Sequence, residues 1–237
     1  MIRVGIYGCC GKMGKRLAAL TAADAQCKLT VLVERAGHPE IGQTMHGVQV
    51  SDSLDAIAPA DVVIDFTVPQ ASLQLLPAAL RHKKALVIGT TGMDAAQQEQ
   101  VKQAARAIPI VFSPNMSVGV NVLFALIKDA AAKLNDYRVS IVEYHHIHKK
   151  DAPSGTAKQI AAIIEAQTGK AVTDIKAIRE GEIVGDHDIR FESDVDVLEI
   201  RHSAKTRDIF AQGGVAAARW IFGKPAGLYS TKDVLGL

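Results

Sequence analysis

The stretch Ile2-Arg3-Val4-Gly5-Ile6-Tyr7-Gly8-Cys9-Cys10-Gly11-Lys12-Met13-Gly14 decides how the chain folds. Ile2–Tyr7 is an apolar, β-branched run, as expected of a parallel strand covered on both faces. Helix-forming residues follow at once, with an apolar pattern over Met13–Ala23. A glycine-rich turn between a strand and a helix lets backbone N–H groups approach a pyrophosphate at the positive end of the helix dipole. Gly8, Cys9, Cys10, Gly11, Lys12 and Met13 are therefore candidates to cradle a dinucleotide. The spacing is G-x-x-G-x-x-G, with Cys10 where the second glycine of G-x-G-x-x-G would stand. By itself, such a turn also suits a connection that binds nothing.

Outward from the turn, strands are predicted at Leu29–Val33, Val62–Phe66, Ala85–Ile88 and Ile110–Phe112. Helices are predicted at Gln70–His82 and Asp94–Ala107. This alternation implies a Rossmann-type, doubly wound parallel sheet. The rhythm changes after Asn115. A helix over Val118–Leu134, a strand over Val139–His146 and a helix over Thr156–Gln167 are predicted. Strand-like pieces follow at Ala177–Arg179, Asp188–Glu192 and Val197–His202, then a helix at Val215–Phe222. This second pattern is α+β, with antiparallel pairing expected. Three segments result: a dinucleotide-binding domain over 1–116, an inserted substrate-binding and oligomerisation domain over 117–212, and a return to the first domain over 213–237.

Composition sets the limits. The chain has 237 residues, 48% of them hydrophobic, and a formal net charge of +2. That length supports one large core or two modest ones, and the charge offers no global field for nucleic acid or a membrane surface. Cys9, Cys10 and Cys27 form no C-x-x-C pair, which favours a reducing compartment such as the cytoplasm over a disulfide framework. No signal peptide is expected at the N-terminus, and no apolar run approaches the ~20 residues that span a bilayer.

Three further loops fall at the carboxyl ends of parallel strands, where open α/β sheets bind ligands. Glu34-Arg35 follows the second strand. An acid there accepts from the ribose hydroxyls of NAD, and an arginine pairs with the 2′-phosphate of NADP. The pair admits either NADPH or NADH, or a solvated surface pair. Gly89-Thr90-Thr91 and Ser113-Pro114-Asn115-Met116 follow the fourth and fifth strands, and both are candidates for the nicotinamide side.

The run Glu143-Tyr144-His145-His146-Ile147-His148-Lys149-Lys150-Asp151-Ala152-Pro153-Ser154-Gly155-Thr156-Ala157 packs histidines and lysines against a helix start with Ser154 as N-cap. Free N–H groups at such a start bind an anion such as a carboxylate. Imidazole and ammonium groups beside it suggest a dicarboxylate site with acid catalysis. A metal site and a solvated basic face are the other readings of His-His-x-His. The neighbouring lysines would repel a divalent cation, so no metal is assigned.

This run resembles the signature of the dihydrodipicolinate reductases. The glycine turn, Glu34-Arg35, Gly89-Thr90-Thr91-Gly92, Ser117–Asn121, Gly185-Asp186-His187 and Gly213–Leu237 are similar as well, so the resemblance spans nearly the whole chain. It implies an NAD(P)H-dependent reduction of 4-hydroxy-tetrahydrodipicolinate, with loss of water, in lysine and diaminopimelate biosynthesis. It also implies His145 as proton donor and Lys149 as the second donor. His146 becomes a substrate contact, and Gly155 and Thr156 hold a substrate carboxylate. A homotetramer is implied too, and a sheet with too few helices for both of its faces agrees with assembly. Family members often carry small residues where this chain has Ser113-Pro114, and a proline there removes one N–H donor. Two rivals share the glycine turn: another Rossmann-type reductase of an imine or carbonyl acid, and a nucleotide-sensing module without turnover. Neither needs the His/Lys block.

Overall fold

The computed structural model describes residues 1–237 and divides into two compact units. One comprises Met1–Ser117 with Phe210–Leu237, and the other Val118–Ile209.

The first unit is built on β1 (Ile2–Tyr7), β2 (Cys27–Val33), β3 (Thr44–Met45), β4 (Val48–Ser51), β5 (Val62–Asp65), β6 (Ala85–Ile88), β7 (Pro109–Phe112) and, from the far end of the chain, β12 (Gly227–Tyr229). They form one sheet in the order β12-β7-β6-β5-β1-β2-β4-β3, parallel except at the β3–β4 hairpin. The order reverses at β1, between β2 and β5. Helices α1 (Lys12–Ala23), α2 (Pro69–His82) and α3 (Ala95–Ala104) make the crossovers. Strands β1, β5 and β6 are apolar nearly throughout because both faces are covered. One core joins Val4, Ile6, Leu17, Ile64 and Val87 to Ala211, Val215, Ala218 and Ile221 of α6 (Asp208–Ile221). The other joins Val31, Val63, Leu75, Leu86, Val101 and Ile110.

Helix α6 starts well before the predicted Val215 because Gly213 and Gly214 read as a break. Both lie inside the helix. A Cβ on Gly213 would sit 1.7 Å from the Met116 carbonyl oxygen, so glycine serves close approach of backbones here rather than a turn. Helix α3 ends at Ala104 rather than Ala107. The hairpin, β12 and a last helix α7 (Thr231–Leu235) had no predicted counterpart. Each is too short to show a period.

The second unit sets α4 (Val118–Lys133) and α5 (Gly155–Thr168) on one face of a sheet ordered β11-β10-β8-β9. Its strands are β8 (Arg138–His145), β9 (Asp174–Arg179), β10 (Asp186–Glu192) and β11 (Val197–Ser203). β10 pairs antiparallel with β8 and β11, whereas β8 and β9 run parallel. That departs from the antiparallel expectation. Helix α5 joins β8 to β9, and a crossover through a helix returns the chain in the same direction. Ile141, Ile189 and Phe191 face Phe124, Ile127, Ile160 and Ile164 in the core. The opposite face carries ion pairs, among them Arg190 with Glu192 and Glu199, and Arg201 with Asp186 and Asp188. No helix of the chain is long and apolar enough to cross a membrane.

Candidate active site

In the first unit, the carboxyl ends of β1, β2 and β5 border a cavity of about 400 Å³ at the sheet's switch point. Tyr7, Gly8, Cys10, Glu34, Arg35, Phe66 and Thr67 are among its walls. Two glycines make the turn possible. Gly8 has φ of +74°, and a Cβ there would lie 2.4 Å from Thr67 Cγ2. A Cβ on Gly14 would lie 2.0 Å from the Gly8 carbonyl oxygen, so α1 packs directly on the turn.

Counting donors shows which amides remain for a ligand. Gly8 and Cys9 donate to the Val33 carbonyl at 2.8 and 3.2 Å, and Gly11 donates to the Gly8 carbonyl at 3.1 Å. Cys10 N–H donates to Glu34 Oε2 at 3.0 Å, and Glu34 Oε1 accepts from Arg35 N–H at 2.9 Å. The first-turn amides of α1, at Lys12 and Met13, have no partner within the helix, and no acidic side chain occupies that turn. The turn therefore fits a pyrophosphate at Lys12 and Met13, while Gly8 to Gly11 shape it. Burial fixes Glu34 beneath the turn, and Arg35 beside it is exposed.

The two remaining loops are largely self-bonded. Thr90 is 2% exposed, and its hydroxyl accepts from Ser72 Oγ at 2.9 Å and Thr67 N–H at 3.0 Å. The buried Asp65 carboxylate completes that network, its pKa raised by burial. A Cβ on Gly89 would strike the Phe66 ring at 2.5 Å, so this glycine seats a wall of the cavity. Ser113 Oγ donates to the Asn115 carbonyl at 3.0 Å, Asn115 Oδ1 accepts from Ser117 N–H at 2.9 Å, and the Met116 side chain is in the core. Thr91 and Pro114 are exposed. Sequence reasoning passed over Phe66, Thr67 and His38. The signal for Phe66 and Thr67 was there, since both stand at the end of the third parallel strand.

In the second unit, β8 alternation puts Glu143 and His145 on the helix-covered face, in line with Ile141. Strand register sets Glu143 opposite His187 and His187 opposite His202. One face thus changes along its length from an apolar core to a polar cluster. Glu143 is fully buried and accepts from His145 Nδ1, from Ser154 N–H at 3.1 Å and from Arg179 Nη2 at 2.8 Å. Burial pushes its pKa up, but these donors, Arg179 foremost, hold it below the usual carboxylate range. Burial lowers the pKa of His145 against the raising effect of Glu143. His187, 5.3 Å from the His145 ring centroid, is pushed down to about 4 by burial and by His145.

Ser154 caps α5, accepting from Ala157 N–H at 3.2 Å, and its hydroxyl lies 3.2 Å from His187 Nε2. The amides of Gly155 and Thr156 open the first turn, where no acidic residue competes for an anion. Lys149 Nζ lies 2.8 Å from Asp151 Oδ1. His146 stands 3.0 Å from Arg207 Nη2, and His148 is largely exposed near Glu182. Ligand atoms of Glu143, His145 and His187 fall within 4.8 Å of one another, but Arg179 already occupies the carboxylate. Arg179 and His145 thus take up both oxygens of that carboxylate.

Family models match both parts of the chain: "Dihydrodipicolinate reductase, N-terminus" over residues 2–116 and "Dihydrodipicolinate reductase, C-terminus" over residues 119–235. The 4-hydroxy-tetrahydrodipicolinate reductase of Geobacter metallireducens is 40% identical over 266 aligned positions, with 100% of both chains covered. That of Anaeromyxobacter sp. strain Fw109-5 is 43% identical, covering 100% of this chain and 98% of the relative. The dipicolinate-bound dihydrodipicolinate reductase from Paenisporosarcina sp. TG-14 superposes with a TM-score of 0.85 at 24% identity, covering 98% of each chain, and shows the same fold. With matched models over nearly its whole length and full-length relatives at this identity, the chain belongs to the dihydrodipicolinate reductase family.

Proposed function

We propose that the chain reduces 4-hydroxy-tetrahydrodipicolinate to tetrahydrodipicolinate, with loss of water, in lysine and diaminopimelate biosynthesis. One observation carries this reading. A buried, carboxylate-braced histidine lies beside the open first turn of α5, so a proton donor and an anion cradle occupy one polar cluster. The substrate is a cyclic imine with two carboxylates. The amides of Gly155 and Thr156 hold one carboxylate, with His146 and Lys149 contributing charge and contacts.

The glycine turn of the first unit would hold a nicotinamide cofactor, which would supply a hydride for ring carbon 4 after loss of water. Charge then spreads toward the imine nitrogen and carbon 3, and His145 or Lys149 delivers the proton that quenches it. Burial lowers the pKa of His145, and a bound dianion raises it, so substrate favours the protonated form of the acid. Charge met only in the transition state raises the rate, whereas uniform binding does not. Lys12 and Met13 take the pyrophosphate. Glu34 serves the ribose of NADH and the exposed Arg35 the 2′-phosphate of NADPH, so we assign use of both. The face of the four-stranded sheet that α4 and α5 leave uncovered is open to a partner copy, so we assign a homotetramer, and the cytoplasm is the assigned compartment.

The test is a coupled assay in which substrate is generated fresh and nicotinamide absorbance is followed. Turnover with either cofactor is expected. Cofactor binding without turnover would favour a nucleotide-sensing module, and turnover only with other imine or carbonyl acids would favour a different reductase.

A further inference from the structure

Glu143 braces His145, and it is itself a buried ionisable group with partners on several elements. Its side chain is wholly removed from solvent. A buried carboxylate is costly unless every lone pair finds a donor. Three donors from three parts of the fold converge on it: His145 Nδ1 from the same strand, Arg179 Nη2 from the adjacent β9, and the main-chain N–H of Ser154 at the head of α5. Arg179 also donates to the Asp151 carbonyl at 2.6 Å, which fastens the loop between His145 and Ser154.

Two consequences follow for the chemistry. A carboxylate at Nδ1 holds the hydrogen of the neutral ring there and leaves Nε2 as the nitrogen that gains and gives the proton. Nε2 lies beside Gly185, where a Cβ would come within 3.0 Å, so a larger residue would crowd the reacting nitrogen. The second consequence concerns the cradle. By accepting from Ser154 N–H, the same carboxylate pins the N-cap of α5, and the next amides in the chain are those of Gly155 and Thr156.

We infer that Glu143 is the positioning residue of this site: one buried carboxylate fixes the reacting nitrogen of His145 and the anion-binding turn of α5 in a common frame. The inference rests on the proposed reduction for its kinetic arm only. The ring-nitrogen measurement below stands without it.

The first experiment is long-range proton–nitrogen NMR on the full-length parent protein, with the His145 signals assigned by the His145→Gln variant. The Nδ1–H tautomer is expected above the ring's pKa, and an Nε2–H tautomer would overturn the inference. The second is Glu143→Gln, which keeps size but brings an amide donor. Its kcat should fall by about 10²-fold or more, because the neutral ring is driven to the wrong tautomer. KM should move by less than about fivefold.

The rate arm that falls with rising pH should also shift to lower pH. Glu143 is the anion that raises His145, Arg179 on β9 and Lys149 on the loop remain to oppose its protonation, and His187 on β10 faces the ring. A merely structural role would lower the folded fraction and leave the pH midpoint of the active molecules in place. A kcat within about threefold of the parent with an unmoved midpoint overturns the inference. Should the variant fail to fold, the tautomer in the parent decides.

Discussion

Lys149 shares its charge with Asp151 across 2.8 Å, so a dianionic ligand has to outbid a carboxylate already in place. Lys149→Met keeps the stem and removes the ammonium. Dipicolinate, a planar dicarboxylate, should bind the variant at least about tenfold more weakly by titration calorimetry, with NAD(P)H binding unchanged. Equal dipicolinate affinity in parent and variant would place the anion site elsewhere. At the other ligand, Arg35→Ala should weaken NADPH far more than NADH, since only the former carries a phosphate for the guanidinium. Matching losses would show that Arg35 does not read that phosphate. Chemistry at this scale was readable where residues crowd together in sequence, as from His145 to Thr156. Arg179 and His202 were invisible, and His187 stood only within a matching run without a role, because strand register, not spacing, brings them to the Glu143 cluster. Likewise the partners of the Thr90 hydroxyl, Asp65, Ser72 and Thr67, come from other elements and could not be read from the Gly89–Thr91 run.

Among the elements, α6 misled the sequence reading most and offers the sharpest test of packing. Its Gly213-Gly214 pair lets the helix meet the Met116 main chain at a distance no Cβ could share. Gly213→Ala ordinarily favours a helix, but here the added methyl should overpack the core and cost about 1–3 kcal/mol. Chemical denaturation of the two proteins checks this. A variant as stable as the parent would show that α6 can shift away from Met116 at little cost. The long parallel strands and the crossover helices were legible because their apolar runs are continuous and their glycines mark true turns. Where a glycine instead serves close contact, or where a strand is as short as Gly227–Tyr229, composition alone carries no such mark.

Across the molecule, the polar end of the second unit should govern tolerance to acid. Burial holds His187 down to about 4, and burial also lowers His145 and His202. In the unfolded chain a histidine titrates near ~6.5. The folded state therefore binds protons less readily, and its stability is complete above that value and declines as pH falls toward about 4. His187 alone contributes up to about 3 kcal/mol to that decline. His187→Gln should lose less stability than the parent between pH about 7 and about 4.5 in parallel urea titrations. An identical slope would mean that carboxylates elsewhere dominate.

The strand order carries one more implication, for synthesis. β12 closes the edge of the first unit's sheet beside β7, and α6 fills one of its two cores, yet both follow the second unit in the chain. A ribosome that has released residues 1–209 has delivered every residue of the second unit and left the nucleotide-binding half without a wall. Nascent chains of that length should expose the apolar side of β1, β5 and β6, engage chaperones and be cut readily by protease. Protection should come only once α6 and β12 clear the exit tunnel.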